Sequence, residues 1–214
     1  MVWWDYAWWV TRIAQRPPAT NPTQAAVKEA ARFYLSTNEA DAVAMLKERK
    51  ARYVIVDRSI PMSTATAGQA LSSQLELMVR WSERYQPSYF YELYYERGVP
   101  VFVYTPDYYR TMGIRMFAYG GGGYTPSRAS WAIAVNAQRQ IVEKRVFNTH
   151  AEAEAFVAAE PGKWRLVGLH PLLGPLPVEP LTVLVREFSS TAGVDGPIGR
   201  IPEVAVFRVR DSGQ

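Results

Sequence analysis

Apolar residues in the first part of the chain recur with a helical period, and one short apolar run interrupts that pattern. The period over residues 27–34 predicts a first helix, which we expect to begin with Asn21 as its N-cap and Pro22 at its first position. A second helix is predicted over residues 38–50. It leads directly into the β-branched run at residues 53–57, which predicts a buried strand.

The pattern then repeats with a helix, a strand and another helix. Apolar positions over residues 71–79 predict a third helix, and residues 101–104 predict a second strand. Thr105 followed by Pro106 indicates the start of a further helix. We expect that helix to stop at the four glycines of residues 120–123.

Strand patterns dominate the remainder of the chain. Residues 132–135 and 140–147 predict a hairpin, and Thr149 with Glu152 predicts the capped start of a short helix. Three later segments alternate as strands: residues 164–169, 181–188 and 204–209. The predicted fold class is therefore α+β, with a helix-rich mixed α/β core at residues 1–122 and a mostly β unit at residues 123–214.

Composition limits the function classes. The 214 residues are 48% hydrophobic and 21% charged, which suits a globular chain with a buried core. The formal charge is +4, and the lysines and arginines are mixed with acidic residues instead of forming a basic stripe. A nucleic-acid partner is therefore not favoured. The one basic cluster, residues 47–52, is typical of the positively charged last turn of a helix. The sequence contains no run of about 18 apolar residues that could cross a membrane.

Several familiar kinds of site are missing from the sequence. It has no cysteine, and its two histidines, His150 and His170, fall in different predicted elements, so no metal site is assigned. The glycines at 120–123 are not followed by the Lys-Ser/Thr of a phosphate-binding loop. The tyrosine-rich segment 89–95 is consistent with stacking on sugar rings and equally with a buried face that has hydroxyls at its rim.

The most informative stretch is Trp3-Trp4-Asp5-Tyr6-Ala7. Two adjacent indole rings with N–H donors, next to a carboxylate acceptor, suit the recognition of a small hydroxyl on a peptide. The alternative is a buried N-terminal segment.

A second pattern, Asp107, Arg110 and Ile114, has offsets of three and four residues. These offsets would place the three side chains on one face of a helix. The alternative is a surface ion pair beside a core isoleucine.

Together these stretches resemble the catalytic subunit of oligosaccharyltransferase, a membrane enzyme that moves a lipid-linked glycan onto the asparagine of Asn-x-Ser/Thr sequons. The pentapeptide resembles the WWDYG signature of that family, with Ala7 where the family has glycine. The second pattern resembles a motif that has lysine where this chain has Arg110, and an arginine fork does not hydrogen-bond as an ammonium does. Residues 8–14 and 21–24 are similar to the helix and turn that follow the signature in the family.

The resemblance implies a binding role for seven residues, which would contact the acceptor peptide: Trp3, Trp4, Asp5, Tyr6, Asp107, Arg110 and Ile114. The first three would hydrogen-bond the Ser/Thr hydroxyl, and Ile114 would pack on the threonine methyl. It implies that this chain holds no catalytic residue, metal or cofactor. The acids and the Mg or Mn of the full-length glycosyltransferase would lie elsewhere, so the fragment alone is expected to be inactive.

The expected partners are an acceptor polypeptide with a sequon, the chain's own transmembrane domain and, through that domain, a lipid-linked oligosaccharide. The expected location is the extracytoplasmic face of a membrane-anchored parent protein. The alternative function is a free-standing carbohydrate- or peptide-binding module without transferase activity.

Overall fold

Helices and strands both contribute to the core, which confirms the α+β class. The computed structural model describes residues 1–3, 6–20, 23–61, 73–126, 130–196 and 198–210. The helices are α1 (Ala7–Ala14), α2 (Val27–Leu35), α3 (Glu39–Glu48), α4 (Gln74–Ser82), α5 (Pro106–Arg110), α6 (Met112–Phe117) and α7 (His150–Ala159). The strands are β1 (Tyr53–Asp57), β2 (Tyr91–Glu96), β3 (Val99–Tyr104), β4 (Ser130–Val135), β5 (Ile141–Phe147), β6 (Trp164–Val167), β7 (Leu184–Ser189), β8 (Gly193–Gly196), β9 (Gly199–Pro202) and β10 (Val204–Val209).

The sheet that carries the main core combines strands from both ends of the chain. Its order is β1-β10-β7, and both pairings are antiparallel. Val54 lies opposite Phe207, and both side chains are fully buried. The predicted boundary at residues 122 and 123 therefore does not divide the sheets, because strands from the later segment complete the sheet that begins with β1.

A second layer also crosses that boundary. The β2–β3 hairpin packs against the three-stranded sheet β5-β4-β6 through an apolar cluster of Tyr94, Val103, Ile133 and Val167. A bridge between Tyr104 and Gly168, with N–H to O distances of 2.9 and 2.8 Å, fastens β3 to the chain beyond β6. Sequence analysis predicted β3 but missed β2 and the β8–β9 hairpin.

The tyrosine-rich segment is explained by this layer. Tyr91 and Tyr94 point into the structure, whereas Tyr89 and Tyr95 are exposed. Tyr91 and Tyr94 are three residues apart on β2, so they lie on opposite faces of the strand, with Tyr91 in the main core and Tyr94 in the second cluster. The structure thus favours the buried face with hydroxyls at its rim.

The predicted helices are present, except that the first begins later than expected and the one predicted to start after Thr105 is split into α5 and α6. The second helix starts at Asn38 as expected, and Asn38 caps it, because its side-chain oxygen accepts from the N–H groups of Ala40 at 2.8 Å and Asp41 at 3.2 Å. The first helix begins at Val27 instead of at Pro22, after Ala26 in a left-handed conformation (φ 57°). Asn21, Pro22 and Leu71 lie outside the described residues.

The glycine stop is confirmed. Helix α6 ends at Phe117, and Gly120 and Gly121 adopt positive φ of 61° and 74°. The Gly121 N–H donates to the Arg115 carbonyl at 3.0 Å, which satisfies one carbonyl of the helix end.

Candidate functional site

The N-terminal segment lies along the free edge of β1. The Ile55 N–H donates to the Met1 carbonyl at 3.0 Å, and the Thr20 hydroxyl donates to the Val2 carbonyl at 2.6 Å. Burial lowers the pKa of the Met1 amine to about 5. Trp3 is only 2% exposed and belongs to the main apolar core. In this conformation Trp3 stabilises the fold, and its contact with a peptide stays a prediction.

The rest of the signature is described only in part. Trp4 and Asp5 lie outside the described residues. Tyr6 is partly buried, and its N–H donates to the Trp3 carbonyl at 3.2 Å. Ala7 is the first residue of α1, has an ordinary negative φ and is fully buried. The alanine at this position is therefore compatible with the local backbone, which does not require a glycine.

Helix α1 carries a feature that sequence analysis did not single out. Ala7 is its one buried residue. Trp8, Trp9 and Ile13 are 53%, 58% and 70% exposed, and the Arg12 guanidinium lies 5.9 Å from the Trp8 ring. Large apolar side chains grouped on one exposed helix are typical of a surface that contacts another molecule or domain. The run Trp8-Trp9-Val10 was the signal available in the sequence.

The second motif does not lie on one helix, so that prediction was wrong. Thr111 separates α5 from α6 with an extended ψ of 145°. Its buried hydroxyl donates to the Tyr108 carbonyl at 2.8 Å and accepts from the Ile114 N–H at 3.4 Å, which caps α6. The Met112 N–H leaves the helical pattern and donates to the Ser36 carbonyl at 2.8 Å.

The break at Thr111 leaves Asp107 and Arg110 at the surface and places Ile114 in the core. Asp107 and Arg110 lie on α5, are about half exposed and form an ion pair at 3.5 Å. Ile114 lies on α6 and is completely buried. An exposed pair of this kind contributes little to stability, typically about 0–1 kcal/mol. The observed arrangement is a surface ion pair beside a core isoleucine, so any peptide contact by Ile114 first requires the side chains that cover it to move.

Although the helix is broken, the two motifs share a scaffold made of α2 and β1, which we call the α2–β1 scaffold. The Tyr34 hydroxyl, on α2, donates to the Ile55 carbonyl at 2.7 Å, and the Ile55 N–H binds Met1. On α6, a Cβ at Gly113 would lie 3.1 Å from the Ile60 Cγ2 atom and 3.4 Å from the Tyr34 carbonyl. The structure therefore brings the signature and α6 onto the same elements, and Trp3 and Ile114 into the same core.

The described part of the chain contains no group of three histidine, aspartate or glutamate residues arranged to hold a metal ion. The Nε2 atom of His150 lies 3.0 Å from the Oε1 atom of Glu154, and the Nδ1 atom of His170 accepts from the Leu172 N–H at 3.0 Å. Burial lowers the pKa of His170. Among the described residues no helix is long and apolar enough to cross a membrane.

Comparison with known proteins shows a family similarity in the first part of the chain. Residues 1–61 match the family model for the AglB core domain, called AglB core-like. This segment contains the signature, α2, α3 and β1, which are the elements that build the shared scaffold.

Three curated relatives are archaeal glycotransferases. The chain is 26% identical over 185 residues to the dolichyl-monophosphooligosaccharide–protein glycotransferase AglB of Haloferax volcanii, an alignment that covers 75% of this chain and 17% of that protein. It is 34% and 31% identical to dolichyl-phosphooligosaccharide–protein glycotransferases 1 and 2 of Archaeoglobus fulgidus, each over 30% of this chain and 11% of the relative. The chain thus spans less than a fifth of the relatives it matches.

Two solved oligosaccharyltransferase structures align with nearly the whole chain. The C-terminal globular domain of an Archaeoglobus fulgidus oligosaccharyltransferase aligns with 98% of this chain and 83% of its own length, with a TM-score of 0.47 and 15% identity. An oligosaccharyltransferase of the same organism, tethered to an acceptor peptide that contains an NVT sequon, aligns with 97% of this chain and 27% of its own length, with a TM-score of 0.48 and 16% identity.

The family model and the sequence relatives confirm the predicted resemblance to oligosaccharyltransferase. At the level of the particular family, the chain is similar to the AglB-type archaeal enzymes, through residues 1–61 for the family model and over 185 residues for the Haloferax volcanii relative.

Proposed function

We propose that this chain is the part of an oligosaccharyltransferase that recognises the Ser/Thr of an acceptor sequon, and that it acts as one domain of a membrane-anchored glycosyltransferase. The observation that carries the proposal is the shared α2–β1 scaffold. It holds the signature at Trp3 and the α6 helix at Ile114 in one core, and the scaffold itself lies within residues 1–61, which match the AglB core domain.

Recognition of a hydroxyl follows from the chemistry of the signature. An aspartate carboxylate accepts a hydrogen bond from the Ser/Thr hydroxyl, and indole N–H groups donate to the same oxygen. An acceptor residue without the hydroxyl leaves these groups unpaired, which costs about 1–3 kcal/mol for each buried group. We assign the hydroxyl contact to Trp4 and Asp5, with Trp3 and Tyr6 supporting them.

The second motif plays a smaller part in the proposal. Contact between Ile114 and the threonine methyl would be worth about 0.8 kcal/mol, roughly fourfold in favour of threonine over serine. Because Ile114 is fully covered, this contact requires an opening between α6 and its neighbours. The half-exposed Asp107 and Arg110 are free to contact the peptide backbone from α5.

The exposed face of α1 supports a partner within the same enzyme. We assign Trp8, Trp9 and Ile13 to the contact with the transmembrane domain, because leaving them in water is costly and they directly follow the signature. That domain would present the lipid-linked oligosaccharide and, with Mg or Mn, carry the catalytic acids. This chain would then work on the extracytoplasmic side and would lack transfer activity alone.

The test uses the full-length parent enzyme and two competing peptides, Asn-x-Thr and Asn-x-Ser. Asp5→Ala removes a charged acceptor worth about 1.5–3 kcal/mol, so transfer to both peptides should fall more than about tenfold. Ile114→Val should cost only a few-fold, and mainly with the threonine peptide. Asp41→Ala is the matched control, since Asp41 is an exposed acid on α3 that is remote from the signature in sequence.

The outcomes separate the proposal from a structural role. If Asp5→Ala and Asp41→Ala give equal transfer rates, Asp5 does not bind the acceptor. Product formed by this chain alone, incubated with lipid-linked oligosaccharide, Mn and a sequon peptide, would contradict the placement of catalysis in the transmembrane domain. A chain that binds glycan or peptide tightly but whose gene encodes no further domain would favour the free-standing module.

A further inference from the structure

An open cleft of about 350 Å³ lies where the end of α3 meets the start of β1 and the end of β10. Its charged lining residues are all basic: Lys47, Lys50, Arg52 and Arg210. Its floor is apolar and is formed by Leu46, Ala51 and Val209. The floor borders the main core, which contains Leu46 together with Trp3 and Ile114, but neither Trp3 nor Ile114 lines the cleft.

Backbone hydrogen bonds fix the walls of the cleft. The Val209 N–H donates to the Arg52 carbonyl at 2.9 Å, which joins β10 to the residue before β1. The Ala51 N–H donates to the Leu46 carbonyl at 2.8 Å and closes the end of α3. The basic side chains therefore project from anchored backbone.

Compensation of the helix dipole explains only part of this charge. Lys47 and Lys50 lie at the C-terminal end of α3, where cations are favourable. Arg52 and Arg210 belong to other elements, so the dipole gives no reason for their position. None of the four forms an ion pair with an acid in the described part of the chain, whereas neighbouring Arg49 pairs with Glu29. Four cations gathered without a counter-charge repel one another unless an anion joins them.

We propose that this cleft binds a phosphate-bearing anion. Arginine forks and lysine ammonium groups are the side chains that proteins use most for phosphate oxygens. The volume lies at the small end of the range for ligand sites, which suits a diphosphate or a phospholipid headgroup. The apolar floor accommodates the carbon atoms next to the phosphate. This site is independent of sequon recognition.

The test measures pyrophosphate binding to the chain by calorimetry, and sedimentation of the chain with phosphatidylglycerol vesicles and with phosphatidylcholine vesicles. The cleft variant is Arg52→Gln with Arg210→Gln. The control, Arg16→Gln with Arg97→Gln, removes the same charge from exposed residues that do not line the cleft. Thermal unfolding of both variants checks that they fold.

We expect the cleft variant to weaken binding at least about tenfold, because two charge-assisted contacts are lost, while the control changes it by less than about threefold. Loss of pyrophosphate binding in the cleft variant alone supports a site for free phosphate compounds. Loss of phosphatidylglycerol binding in that variant alone supports a lipid headgroup. Absence of binding to either probe, or equal losses in both variants, overturns the proposal.

Discussion

Glu39 should contribute measurably to stability, because it joins distant parts of the chain. From the first turn of α3, its carboxylate accepts from three consecutive backbone N–H groups at the start of β7: Thr182 at 2.9 and 3.0 Å, Val183 at 2.8 Å and Leu184 at 3.0 Å. The Thr182 hydroxyl donates to it at 3.0 Å. Glu39→Gln keeps one oxygen acceptor but removes the charge and places an amide donor among donors.

The loss of stability caused by Glu39→Gln follows from the hydrogen bonds to its carboxylate. Bonds to a charged acceptor contribute about 1.5–3 kcal/mol in buried sites. Solvent reaches this carboxylate, so we take the low end, about 1.5 kcal/mol for the substitution. For a chain of this size, that loss corresponds to a fall in Tm of about 3–6 °C.

The effect depends on pH in a defined direction. Partial burial of the Glu39 carboxyl raises its pKa, but the hydrogen bonds from Thr182, Val183 and Leu184 outweigh burial and hold the pKa below its ordinary value of 4.5. A group whose pKa is lowered by folding stabilises the fold above its unfolded pKa and loses that contribution as the pH falls through its folded pKa. The difference in Tm between wild type and Glu39→Gln should therefore be full at neutral pH and shrink below about pH 4.5.

Thermal unfolding followed by circular dichroism measures this difference, with Asp41→Asn as the matched control. Asp41 lies in the same first turn of α3, so its substitution removes a similar interaction with the helix dipole, worth about 0.3–1 kcal/mol. If both variants lower Tm equally, or if the Glu39 effect does not change with pH, the bonds to residues 182–184 do not stabilise the fold.

Three further predictions concern the helix break, the signature and the sheet. Thr111→Val removes the buried hydroxyl that caps α6, so the free energy of unfolding, measured by urea denaturation, should fall by about 1–3 kcal/mol. Thr111→Ser keeps the hydroxyl and loses only a methyl group, so the free energy of unfolding should fall by about 0.8 kcal/mol. Ala7→Gly should lower stability by about 0.5–1 kcal/mol in the same assay, since Ala7 is helical; a gain in stability would indicate that the position favours glycine. A chain that ends at residue 122 should lose cooperative thermal unfolding, because it lacks β10, which pairs with β1. A chain that ends at residue 210 keeps β10 and should unfold cooperatively. Cooperative melting of the shorter chain would establish residues 1–122 as a separate domain.

Local patterns in the sequence predicted the elements well. The start of α3 at Asn38, the strand at residues 53–57 and the glycine stop after α6 all depend on neighbouring residues, so they could be predicted from the sequence. The start of α2 could not, because it depends on left-handed Ala26, a conformation that alanine rarely adopts.

Long-range pairing was the part that the sequence did not reveal. The predicted division at residue 122 rested on a change in composition, but nothing local to residues 204–209 indicates that they pair with β1. The break at Thr111 was missed for the same reason. The carbonyl that receives the Met112 N–H belongs to Ser36, far away in sequence, and helical spacing alone suggested one continuous helix.

The break at Thr111 also bears on how the candidate site is held. In one continuous helix, Asp107, Arg110 and Ile114 would share a face about two turns long. The extended Thr111 lets α5 keep its ion pair in water while α6 turns Ile114 into the core against α2 and β1. The Ile55 carbonyl accepts from Tyr34 on α2, and the Ile55 N–H donates to Met1 beside the signature. The two motifs are therefore joined by contacts with the α2–β1 scaffold instead of by a common helix face.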